Sequence, residues 1–90
     1  MEREIEIKLE MLRKLSDAGK LNYLLPEKIL FQHVQMMIKP PPLTSEMQGC
    51  LSALEERRLV MGVHNAAMGG PVRWKITDNG TAELLNLTQT

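Results

Sequence analysis

The chain has 90 residues and no net charge, with eleven Lys/Arg against eleven Asp/Glu. That is enough for one domain, 1–90, and too little for a deep core. The balance argues against the basic excess usual in nucleic-acid binders, and one cysteine, Cys50, excludes an internal disulfide. No secretory leader and no apolar run near the ~20 residues needed to span a bilayer is present, so the sequence predicts a cytoplasmic chain without a membrane partner.

Residues 2–18 read as a helix rich in strong helix formers. Met1, Ile5, Leu9 and Leu12 form one stripe at helical spacing, with Leu15 at its edge. Ile7 and Met11 fall roughly opposite, either as tolerated surface residues or as a self-association seam. Gly19 stands where a helix C-cap is expected. The segment 22–25 reads as a short strand or extended link, and Pro26 opens a second helix through Ile38. Leu30, Phe31, Val34, Met37 and Ile38 share its inward face, while Ile29, His33 and Met36 form a flank open to another element or subunit. Pro40, Pro41 and Pro42 then force a stiff turn or supply a polyproline ligand.

Thr44 or Ser45 caps a third helix, and Ser45 with Gln48 fits the capping-box spacing. Its inward positions are Met47, Cys50, Leu51 and Leu54; its outward ones are Ser45, Gln48, Ser52 and Glu55, beside Gly49 and Glu56. The period then changes from helical to two. Residues 59–64 and 72–77 read as paired strands, with Val72, Trp74 and Ile76 inward and Arg73, Lys75 and Thr77 outward. Gly69-Gly70 supplies the reversal in the tip, 65–71. Asp78 or Thr77 caps a last helix to about Leu87, with Ala82, Leu84 and Leu85 available for packing.

Three segments carry a resemblance: Pro41-Pro42-Leu43-Thr44, then Leu51-x-x-Leu54-Glu55-x-x-x-Leu59-Val60, then Trp74-Lys75-Ile76-Thr77-x-x-Gly80. Together with the element order they resemble the small stand-alone winged helix-turn-helix proteins of bacteria and phages, over about residues 1–87. The resemblance implies an α+β winged helix: a three-helix core with a short strand, a two-stranded wing and a C-terminal helix. It also implies transcription regulation through duplex DNA, with the third helix in the major groove and the wing on the backbone. Carried over by position, Ser45, Gln48, Gly49 and Ser52 would read bases, and Thr44, Arg73 and Lys75 would meet phosphates. The chain departs from the family at Arg58, where members commonly have glycine, and in its charges. Beyond residue 40, Arg57, Arg58, Arg73 and Lys75 face Glu46, Glu55, Glu56, Asp78 and Glu83. A winged helix that binds a protein partner is the alternative reading.

The small size, the Ile7/Met11 pair and the Ile29/His33/Met36 flank predict a homodimer. No catalytic grouping is present: His33, His64 and Cys50 do not stand at metal-ligand spacing. Gly69-Gly70 lacks the lysine and helix of a phosphate loop. The sequence predicts neither enzyme activity, nor metal, nor cofactor.

Overall fold

The computed structural model describes residues 2–64 and 72–89, so Met1, residues 65–71 with the expected tip and glycine reversal, and Thr90 lie outside the described residues. The elements run α1 Arg3–Lys20, β1 Leu25–Pro26, α2 Glu27–Met37, α3 Thr44–Glu56, β2 Val60–Val63, β3 Arg73–Ile76 and α4 Asp78–Thr88. The three strands form one antiparallel sheet in the order β1-β3-β2. Four helices and this small sheet make an α+β fold.

Glu4 and Glu6 lie in the first turn of α1 and Lys20 in the last, both favourable to the helix dipole. Glu4 and Lys8 pair at 3.2 Å one turn apart. The helix runs two residues past the expected end. Gly19 is still helical, and Asn22 takes the left-handed conformation at φ 55°. The Asn22 N–H reaches Gly19 O at 3.0 Å and the Tyr23 N–H reaches Ala18 O at 2.9 Å. That is a Schellman closure with asparagine in the usual glycine position.

α1 is the centre of the molecule, packed against α2, α3, α4 and β3. This overturns the assignment of Ile7 and Met11 to a surface seam: they are 1% and 0% exposed, within the core formed with Leu12, Leu15 and Leu30. A helix covered on several sides buries more than one apolar stripe. Among the described members of the expected stripe, Ile5 is the most exposed, and it lies beside α4. Full burial of each such side chain contributes about 1.5–3 kcal/mol over leaving it exposed.

On α2, Leu30, Phe31, Val34 and Ile38 face inward as the spacing predicts, whereas Met37 is 57% exposed because the helix ends there and Ile38 turns in as extended chain. The link that follows is held by side chains. Arg3 Nη2 donates to Pro40 O at 2.8 Å, and Gln35 Nε2 donates to Pro42 O at 3.3 Å, with Pro42 buried. The Lys39–Pro40 bond is cis.

In the sheet, Trp74 pairs with both Leu25 and Gly62, and its ring is buried. Its Nε1 donates to Glu27 Oε1 at 3.3 Å, which fastens β3 to the start of α2. β2 and β3 are each shorter than expected by a residue at each end. Leu59 is taken up by the closure of α3, and Thr77 by the cap of α4.

Thr77 joins three elements. Its Oγ1 accepts the Gly80 N–H at 3.0 Å, capping α4, and donates to Arg58 O at 2.6 Å. Its own N–H reaches Leu59 O at 3.1 Å. Gly80 brings α4 against that same backbone: a Cβ there would run into Leu59 O and lie 2.6 Å from Ile76 Cγ1. The Thr77-x-x-Gly80 spacing therefore has a mechanical reason. Of the expected packing positions on α4, Leu84 is partly buried, with Leu87 beside it; Ala82 and Leu85 are exposed.

Candidate nucleic-acid interface

α3 packs through Met47, Cys50, Leu51 and Leu54, all buried. Its opposite side presents Thr44, Ser45, Gln48, Gly49 and Ser52, every one exposed. These short or flexible polar groups can donate to and accept from base edges, with Gln48 able to pair in two-bond fashion with adenine. The face ends in Glu55 and Glu56, also exposed.

The helix start differs from the expected capping box. The N-cap is Leu43, which has no side-chain acceptor, and Thr44 is the first helical residue. Glu46 Oε1 accepts the Leu43 N–H at 3.1 Å, and its Oε2 accepts from Arg3 Nε at 3.0 Å. The Arg3 hydrogen bond, followed by that from the Leu43 N–H, holds the Glu46 carboxyl below its ordinary pKa. This ionised carboxylate sits where the α3 N-terminus would otherwise offer bare N–H groups to a phosphate. Ser45 and Gln48 are thereby released from capping and remain outward.

On β3, Arg73 and Lys75 are exposed on the face opposite Trp74. Their cross-strand partners are Val63, Pro26 and Met61, none of them charged. Neither makes an ion pair among the described residues, unlike Arg3 with Glu46, Lys8 with Glu4, Arg13 with Glu10, and Arg57 with Glu83 at 3.3 Å. Lys14, Lys20, Lys28, Lys39 and Arg58 are likewise without an ion pair among the described residues, so Arg73 and Lys75 are distinguished by standing together on one exposed strand face.

Arg58 follows α3 at φ 60°. Its N–H reaches Glu55 O at 2.9 Å, and the Leu59 N–H reaches Leu54 O at 2.9 Å, a second Schellman closure. A left-handed conformation at a non-glycine residue costs about 1–2 kcal/mol. The departure from the resembling pattern therefore falls on one of the two left-handed non-glycine positions among the described residues, the other being Asn22. Arg58, Glu55, Met61, Gly62 and Asp78 line an open groove of about 590 Å³. A second groove of about 330 Å³ lies between α1 and α3, lined by Glu4, Ile7, Ser45, Glu46, Gly49 and Cys50.

Cys50 is buried, and desolvation followed by the charge of Glu4 pushes its thiol above the ordinary value, which suppresses thiolate chemistry. His33 Nε2 lies 3.3 Å from Glu10 Oε2, so this member of the α2 flank is engaged with α1, while Ile29 and Met36 are exposed. No group of three or more His, Cys, Asp or Glu side chains gathers at metal-binding distance among the described residues. No described helix is long and apolar enough to cross a membrane.

Spacing alone missed Glu46 and Arg3, whose pairing joins the two ends of a 43-residue separation. The only local signal was a glutamate three residues after Leu43, but a leucine cap gave no reason to look for it. No protein family, curated protein or solved structure matches this chain.

Proposed function

We propose that this chain is a winged helix-turn-helix protein that binds duplex DNA as a small transcriptional or phage regulator. In this reading α3 enters the major groove and β3 lies along the phosphate backbone. One observation carries it: Thr44, Ser45, Gln48 and Ser52 on the exposed face of α3 are uncharged and polar, and the cations on β3, Arg73 and Lys75, are exposed and unpaired among the described residues. The element order and the β1-β3-β2 sheet are compatible with a wing beside that helix. Gln48, Ser45 and Ser52 would contact base edges, and Arg73 and Lys75 phosphates.

The test pairs two kinds of variant in duplex titrations. Arg73→Ala with Lys75→Ala weakens all sequences alike and lowers the salt dependence by about one to two phosphates' worth. Gln48→Ala leaves the salt dependence unchanged and relaxes preference at one base pair. If the double variant binds as tightly as wild type at every salt concentration, β3 is not on the backbone.

A second reading is favoured by a specific observation. Met36 and Leu43, at 72% and 66% exposed, stand with Met37 at the end of α2 and in the link to α3, a concentration of apolar side chains suited to a protein surface. In that reading the same fold binds a protein partner or a second copy through α2, with Ile29 and Met36 at the contact. Light scattering separates the cases: a homodimer broken by Met36→Glu supports self-association, and a monomer at high micromolar concentration removes it.

A further inference from the structure

Two positions on and directly after α3 carry conformational penalties that no side-chain contact among the described residues offsets. Gly49 lies in mid-helix, exposed, where glycine is among the poorest helix formers, yet a Cβ built there meets nothing within 4 Å. The packing of the chain itself gives no reason to exclude alanine. Arg58 holds the left-handed conformation at φ 60°, which glycine would adopt without strain, and its guanidinium makes no ion pair or hydrogen bond among the described residues. Glu55 and Asp78 line the same groove without pairing with it.

Positions where local preference is violated without an internal return are where function is expected to sit. Here the two violations are independent, one a missing side chain and one a charged side chain in excess of what the backbone favours. Gly49 lies on the α3 face that the DNA reading assigns to the duplex, and Arg58 stands two residues beyond the end of that helix.

We infer that Arg58 is a further duplex-contact residue and that Gly49, already expected on the base-reading face, acts there through its missing side chain, an inference that rests on the DNA reading above. The missing side chain at Gly49 lets a base edge or sugar reach the α3 main chain. The Arg58 guanidinium binds a backbone phosphate at the C-terminal end of α3, adding one charge contact to those of Arg73 and Lys75.

The test measures thermal unfolding and duplex titration at two salt concentrations for wild type, Gly49→Ala, Arg58→Gly and Arg58→Lys. Gly49→Ala is expected to raise Tm by about 4 °C or more, while lowering duplex affinity about tenfold with the salt slope unchanged. Arg58→Gly is expected to keep or raise Tm and to lower the log–log salt slope by about 0.9, one phosphate; Arg58→Lys restores that slope. A Tm that falls in either glycine–alanine or arginine–glycine exchange assigns that residue an internal role and overturns its place here. If wild type binds and a variant binds identically, that residue is not at the interface and the DNA reading still stands. If wild type does not bind, the DNA reading falls and the inference with it.

Discussion

Gly80→Ala tests how α4 is seated. The added Cβ would collide with Leu59 O, lie 2.6 Å from Ile76 Cγ1 and come 3.0 Å from the Leu59 carbonyl carbon. Ile76 can rotate away, but Leu59 O cannot, because it accepts the Thr77 N–H at 3.1 Å and the preceding carbonyl, Arg58 O, is tied to Thr77 Oγ1. Relief therefore requires α4 to move off the sheet, which strains the Thr77 cap on Gly80. Overpacking against fixed neighbours costs about 1–3 kcal/mol, and a weakened cap adds about 1 kcal/mol. Alanine recovers about 1 kcal/mol of helix propensity over glycine. The net loss should be about 2 kcal/mol, a large part of the stability of a small domain. Urea unfolding reads it directly, with Asn79→Ala, exposed one position earlier, staying within about 0.5 kcal/mol of wild type. A Gly80→Ala protein as stable as wild type would refute the close approach of α4 to Leu59.

Thr77→Ala removes both the α4 cap and the bond to Arg58 O, a loss of about 1–2 kcal/mol in urea unfolding, with Thr77→Ser close to wild type. Glu46 gives a pH dependence. Its folded pKa is depressed by Arg3 and the Leu43 N–H, so its contribution is complete above the ordinary value of 4.5 and is lost as pH falls through the lowered value. Chemical denaturation between about pH 5 and 2 should show a shallower decline for Glu46→Gln than for wild type; parallel curves would remove Glu46 from the α1–α3 connection. Ile7→Glu, at a position 1% exposed, should unfold the chain rather than dissociate a dimer, because an unpaired carboxylate would be buried in the core. Far-ultraviolet circular dichroism decides this, and a folded Ile7→Glu protein would contradict the burial.

The sequence made the helices and strands legible wherever one period held over several turns. α3 is the clear case: its four buried positions and its outward Ser45, Gln48, Ser52 and Glu55 all follow from the spacing. α1 defeated the same reasoning because a stripe identifies one buried face, and this helix has neighbours on several sides. Ile7 and Met11 then looked surplus when they were core. Helix ends were read from residue identity, and the left-handed closures fell instead on Asn22 and Arg58, where Gly19 had seemed the natural stop. Composition gave the zero net charge but not its distribution. That Arg57 is held by Glu83 while Arg73 and Lys75 have no such partner among the described residues depends on contacts across 26 positions of sequence. The Thr77-x-x-Gly80 spacing was visible as a pattern, and its cause, the Leu59 backbone beside α4, became visible only in three dimensions.

The central claim, duplex binding driven by a few phosphates on β3 and α3, is tested most directly by titrating the wild-type chain with generic duplex DNA at two salt concentrations. Each neutralised phosphate contributes a log–log slope of about 0.9, so the account predicts measurable binding with a shallow slope from about two to four phosphates per chain. Absence of binding even at about 50 mM salt, where phosphate contacts are far stronger than at about 200 mM, would contradict it and leave the protein-partner reading in its place.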